Sequence, residues 1–167
     1  MPGVDLNHLR RAIALAKLAR AHGNHPFGAL LADETGTLLQ EAENSVITQR
    51  DCTNHAELNL VRLASTRLNR ETLQRCTLYT STEPCAMCAG AIFWSGIGRV
   101  VFALSEERLL ALAGGGSEES FLFLPCREVF ACGGRTVEVA GPLLEDEAAL
   151  VHEGFWRPAS DGDPQPD

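Results

Sequence analysis

Any fold adopted by this chain has to bring two short motifs together: His55-Ala56-Glu57 and, further along, Pro84-Cys85-Ala86-Met87-Cys88. Between them they hold an imidazole, a pair of thiols and a free carboxylate. An imidazole and two thiolates are three ligands for a tetrahedral zinc ion with its fourth position open, and the carboxylate is a base stationed beside it. A structural zinc site calls for a fourth protein ligand. Here an acid stands in its place.

The spacing adds a geometric requirement. Cys85 and Cys88 lie at i and i+3, so on the first turn of a helix their sulfurs face the same way. Pro84 precedes them and no further proline interrupts the run 85–94, so a helix can open at the cysteines. Its positive N-terminal end and a metal ion both favour thiolates. His55 and Glu57, two residues apart, sit roughly 200° from one another on a regular helix. They serve one site only if it lies across the helix mouth, which predicts His55 in a first turn. One neutral imidazole with two thiolates leaves the ion formally neutral, and solvent at the open position can then lose a proton to Glu57 near neutral pH.

Taken singly, each motif is ambiguous. A lone CxxC is equally a redox pair, half of a structural zinc knuckle, or coincidence, and His-x-Glu triplets arise by chance. In this order, with a proline directly before the first cysteine, they match the known zinc-deaminase signature H-x-E…P-C-x-x-C.

From Pro26 to about Phe123 the chain resembles the cytidine-deaminase-like superfamily, and within it the small free-nucleobase deaminases typified by bacterial guanine deaminase. The resemblance rests on Pro26-Phe27-Gly28-Ala29, Asn44, His55-Ala56-Glu57, Leu78-Tyr79-Thr80-Ser81, Glu83-Pro84-Cys85-Ala86-Met87-Cys88 and Ala91-Ile92-Phe93-Trp94. Phe27 and Gly116-Ser117-Glu118-Glu119-Ser120-Phe121 are the narrower pointers to the guanine branch. The resemblance implies one zinc ion per chain held by His55, Cys85 and Cys88, with Glu57 as acid and base. It also implies a substrate pocket of Asn44, the Ala56 backbone N–H, Phe27, an acidic residue falling on Glu119 beside Glu118, and a C-terminal aromatic lid at Phe155-Trp156. The family pattern has aspartate where Glu119 stands, and a tyrosine in the lid that this chain lacks. Glu83 is expected to be structural or part of the pocket wall.

Composition fits a compact soluble enzyme. With 167 residues, 45% of them hydrophobic, one domain over 1–157 with a sizeable core is expected, followed by a Pro/Asp/Gly-rich tail over 158–167. Apolar stretches fall short of the roughly 18 residues of a membrane span. No basic segment followed by an apolar core opens the chain, so a cytoplasmic location without membrane association is expected. Six cysteines in such a chain argue for thiols and metal rather than disulfides. Cys52 lies near the first motif, but as a fourth ligand it would close the site. The net charge is −8, and the 14 lysines and arginines form no dense run. Gripping folded RNA requires cations that displace counterions from phosphates, so the balance favours a small neutral substrate over a nucleic acid.

The pattern along the chain predicts a helix over 5–21 with Asp5 as N-cap and a stripe of Leu6, Leu9, Ile13 and Ala16. Strands are expected at 27–32 and on through 47, then a helix over 54–68. A strand at 76–81, a helix over 85–95 and a strand at 99–103 follow. A short strand at 136–139 and an amphipathic helix over 145–156 close the fold. This alternation predicts a three-layer α/β/α sandwich with a mixed, mostly parallel five-stranded sheet, entered by an antiparallel hairpin. His8, His22, His25 and His152 have no partner motif and are expected on the surface or in loops, with only His25 near the pocket.

The expected activity is hydrolytic deamination of a free nucleobase, guanine first. Three alternatives stay open: a tRNA wobble-adenosine deaminase, a cytosine, triazine or other nucleobase deaminase, and a non-enzymatic zinc-stabilised interaction domain in which Glu57 would be dispensable. The family also implies a homodimer in which the C-terminal segment can cross to the partner's site.

Overall fold

Strand β1 (Gly28–Ala32) is buried along its whole length, as a strand must be when both faces of its sheet are covered. In the computed structural model, which describes residues 2–114 and 121–156, β1 is flanked by β2 (Leu38–Glu43) and β3 (Thr77–Thr82), both antiparallel to it. Beyond β3 come β4 (Arg99–Leu104) and β5 (Glu138–Ala140), each parallel to its neighbour. The order is β2-β1-β3-β4-β5. Only β1 runs against the other strands, so the sheet is the mixed, mostly parallel one expected.

Period-two alternation divides the core. Ala29 and Leu31 of β1, Leu78 of β3 and Val100 and Phe102 of β4 face one layer of helices. That layer is α3 (Ala56–Arg67), α5 (Ala86–Ser95) and α7 (Cys126–Ala131), which contribute Leu60, Ala64, Ala89, Ile92 and Phe130. Leu30, Tyr79, Val101 and Ala103 point the other way, onto α1 (Pro2–Ala21) and α8 (Glu145–His152), against Leu9, Ile13, Ala148 and Val151. Each fully buried Leu or Phe contributes about 1.5–3 kcal/mol. α1 lies so close to β1 that a Cβ on Gly28 would come within 2.5 Å of the Ala12 carbonyl oxygen; only glycine admits that approach.

Short helices fill the connections: α2 (Val46–Gln49), α4 (Arg70–Arg75) and α6 (Glu106–Leu112). The second strand therefore ends at Glu43 rather than at 47. There Asn44 accepts a hydrogen bond from the Val46 N–H at 3.1 Å and turns the chain into α2. The last helix is also shorter than 145–156: it stops at His152, and 153–156 form a turn.

Asp5 is not an N-cap. It lies inside α1, buried, and accepts hydrogen bonds from the Tyr79 hydroxyl at 2.8 Å and from the Arg99 guanidinium at 2.9 and 3.0 Å. It thus ties α1 to β3 and β4. The Arg99 fork holds its carboxyl below the usual aspartate range against the opposing effect of burial, and burial with the bond to Asp5 pushes Tyr79 up to about 12. Asp5→Ala leaves the phenol and the guanidinium without their partner, and should lower unfolding free energy by about 2–3 kcal/mol, read as a lower urea midpoint. Because the native carboxyl titrates below its unfolded value, the interaction is complete above the ordinary aspartate pKa and is lost as pH falls through the native one. The wild-type and Asp5→Ala midpoints should converge in acid.

Candidate metal centre

Both motifs begin at a helix cap. Cys85 follows Pro84 at the end of β3 and is the N-cap of α5, with extended backbone (φ −64°, ψ 170°). His55 caps α3 in the same conformation (φ −64°, ψ 153°), one position earlier than the first turn anticipated for it. A capping residue has not yet joined the helical spiral, so its side chain can lean across the helix mouth while its carbonyl starts the ladder. The bonds Asn59 N–H to His55 O and Ala89 N–H to Cys85 O, 2.9 and 2.8 Å, show the ladders starting there. Cys88 follows on the first turn of α5, fully buried.

Ligand atoms of His55, Cys85 and Cys88 lie within 4.8 Å of one another. The imidazole presents Nδ1, 3.6 Å from the Cys85 sulfur. Donors around a tetrahedral zinc ion are separated by about 3.5–3.8 Å, so this nitrogen-and-two-sulfur set fits zinc with little adjustment. The thiols act on one another. Hydrogen bonding from Cys88, and then from His55, holds Cys85 down to about 4, whereas Cys88, buried against that thiolate, is pushed up. The Cys85 sulfur in turn raises His55 above its usual value. Coordination of a divalent ion requires both sulfurs as thiolates, so binding releases the remaining proton. The group does not include Cys52, which is exposed, as is Cys132; Cys76 and Cys126 are buried elsewhere.

Glu57 stands two residues past the cap and is 5% exposed. Thr80, from the strand beneath, places its hydroxyl 3.0 Å from Oε1 and 2.9 Å from the Thr82 carbonyl, sharing one proton between them. Burial, and next the Cys85 sulfur, raise the Glu57 carboxyl above the usual glutamate range, with His55 acting in the opposite sense. A carboxyl raised in this way takes a proton and gives it back more readily than an ordinary glutamate.

The other residues singled out from sequence fall at the ends of neighbouring elements. Asn44, just past β2, is fully buried. Its Oδ1 is engaged by Val46, while Nδ2 has no partner among the described residues; a buried donor of this kind is costly unless something accepts from it. Ala56 opens α3, where the first N–H groups have no acceptor within the helix. Phe27, immediately before β1, has its ring 6.2 Å from that of Trp156. Glu118 and Glu119 lie outside the described residues.

Two further residues belong to this group. His25 packs with its ring 5.7 Å from that of Trp156 and is lowered by burial and then by the charge of His55. His152 is not on the surface: it is 3% exposed, 5.4 Å from Phe27 and hydrogen-bonded to Trp156. The i,i+4 spacing of His152 and Trp156 was the signal available in the sequence. Glu83 is structural, accepting from the backbone N–H groups of Glu106 and Cys126 at 3.2 and 3.1 Å.

Residues 3–104 match the family model of the cytidine and deoxycytidylate deaminase zinc-binding region. The chain is 46% identical to a probable cytosine deaminase of Schizosaccharomyces pombe, over 91% of this chain and 92% of that one. It is 40% identical to a tRNA-specific adenosine deaminase of Haemophilus influenzae, over 92% and 83% of the two chains. Among solved structures, a guanine deaminase from Nitrosomonas europaea superposes with a TM-score of 0.73 at 28% identity, covering 89% of this chain and 82% of that one.

The geometry predicts a distinct pattern of thiol reactivity. In zinc-loaded protein, a thiol-specific reagent should modify Cys52 and Cys132 quickly and leave Cys85 untouched. Chelation should make Cys85 the fastest-reacting thiol of the chain, because its depressed pKa supplies thiolate at neutral pH. Cys88→Ser should abolish the protection.

Proposed function

The chain belongs to the cytidine and deoxycytidylate deaminase zinc-binding family, and from that premise we propose that it hydrolyses the exocyclic amine of a free nucleobase, guanine plus water giving xanthine plus ammonia, with one zinc ion per chain. The observation that carries this reading is the buried Glu57 beside three donors that leave a tetrahedral ion incomplete. His55, Cys85 and Cys88 are the ligands. Bound there, zinc supplies the Lewis acidity that makes water a nucleophile near neutral pH.

The chain's own residues do the rest. Thr80 occupies Oε1 of Glu57, leaving Oε2 to move protons. Oε2 takes the proton of the attacking water, passes it to the ring nitrogen next to the amine-bearing carbon, and then assists departure of ammonia. One C–O bond forms, one C–N bond breaks, and the glutamate ends as it began. Asn44 Nδ2, without a partner among the described residues, and the Ala56 N–H are both donors, suited to a base that carries a carbonyl oxygen. Guanine and cytosine do; adenine does not. Phe27 and Trp156 offer apolar faces for a flat ring, and Glu119 is assigned to purine N–H groups.

Cytosine is the second reading, favoured by the identity with the Schizosaccharomyces pombe relative. A tRNA substrate sits poorly with a net charge of −8. The proposal includes a single catalytic domain over 1–157, a homodimer that exchanges the C-terminal segment, and a cytoplasmic location. No helix among the described residues is long and apolar enough to cross a membrane.

Ammonia release from guanine, cytosine, adenine and adenosine, measured side by side, tests the assignment. Guanine should be turned over fastest, and Glu57→Gln should retain zinc while losing about 10³-fold in kcat. Turnover of cytosine but not guanine reassigns the substrate. Silence toward every base, with Glu57→Gln behaving as wild type, overturns the enzymatic reading.

A further inference from the structure

Just past α8 lies an arrangement that the metal chemistry leaves unexplained. The Trp156 indole donates from Nε1 to Nδ1 of His152 at 3.1 Å, and the two rings are nearly parallel, 11° apart, with centroids 6.1 Å from one another. That bond assigns the imidazole as the Nε2–H tautomer, since Nδ1 must keep its lone pair to accept. Burial, with the Arg20 charge adding to it, pushes His152 down to about 4, so the acceptor persists at neutral pH.

The turn that carries the tryptophan is anchored from the opposite end of the chain. Arg20, in the last turn of α1, donates to the Val151 and Glu153 carbonyls at 2.7 and 2.8 Å and lies 5.6 Å over the Phe155 ring. Backbone is therefore held by Arg20 and the indole by His152. Phe27 completes the group, its ring 5.4 Å from that of His152 and 6.5 Å from that of His25.

We propose that His152 is a positioning residue for the base pocket: by accepting from the Trp156 indole it fixes that ring opposite Phe27 and so sets KM, while taking no part in proton transfer. The inference rests on the reading that Trp156 faces the substrate. An indole carried on a turn samples several rotamers unless something holds it, and ordering such a side chain at the moment of binding opposes affinity. Prior ordering by His152 spares the substrate that loss. It leaves Glu57 and the metal donors untouched, so the effect falls on KM and not on kcat.

The chain has two tryptophans, and Trp94 is on the exposed side of α5; Trp94→Phe leaves Trp156 as the sole reporter. In that background, His152→Phe keeps a ring but removes the acceptor. Acrylamide quenching of Trp156 without substrate should rise at least about twofold, and KM for the base about 3- to 10-fold, with kcat within about twofold of the parent. His152→Asn, whose amide oxygen can accept in place of Nδ1, should recover most of both. Trp156→Phe removes the same bond from the donor side while keeping His152, and should raise KM about 3- to 10-fold with kcat within about twofold of the parent; this arm holds if His152→Phe does not fold, and a loss in kcat with KM constant there overturns the inference as well. Unchanged quenching in His152→Phe, or a loss in kcat with KM constant, overturns the inference. The quenching measurement uses no substrate, so it decides the His152–Trp156 coupling separately from whether any nucleobase is turned over.

Discussion

Helices α3 and α5 begin facing one another, and the chemistry of the centre depends on that placement. Two helix N-termini brought close present like partial charges, each about half an elementary charge, and they repel unless anions lie between them. Cys85, held as a thiolate at the mouth of α5, supplies such an anion between the two helix ends. Below them, Leu60 and Ala64 meet Ala89 and Ile92 over Ala29 and Leu31 of β1, an apolar floor that holds the two helix mouths together. Packing sets the positions; the donors and a cation make them favourable.

The strand beneath is built for the same purpose. β3 is buried throughout, yet its C-terminal half reads Thr80, Ser81, Thr82, where an apolar run would suit a central strand better. Two of the three hydroxyls are paired: Thr80 backs Glu57, and Ser81 accepts from the Gly28 N–H at 3.1 Å, whereas the buried Thr82 hydroxyl has no partner among the described residues. Polar side chains in a core stay there when they are paired. Their concentration at the carboxyl end of a parallel strand agrees with where open α/β sheets place ligands. At the other end of the molecule's polar interior, Asp5, Tyr79 and Arg99 do the equivalent work for the α1 layer.

Much of this was legible in the residues, for identifiable reasons. His55, Glu57, Cys85 and Cys88 stood out because metal chemistry tolerates few residue types at few spacings. Strand–helix alternation with period-two burial on β1, β3 and β4 disclosed the layers. What escaped depends on tertiary context. Asp5 looked like a cap because its partners, Tyr79 and Arg99, are far away in sequence. α4 and α6 are short, and their caps, Asn69 and Ser105, follow directly on other elements without a clear break. His152 sits on a helix face that reads as ordinary amphipathic packing, and the turn that folds Trp156 back onto it has no turn motif of its own. The base itself is least legible, since the chain is similar at once to relatives named for cytosine, for guanine and for tRNA adenosine.

Zinc K-edge X-ray absorption of the zinc-loaded protein probes the coordination set directly. Two sulfur scatterers at about 2.3 Å and a histidine nitrogen at about 2.0–2.1 Å are expected, with one further light-atom scatterer completing four. Three or four sulfurs, or a second histidine in the shell, would show a closed structural centre and contradict that expectation.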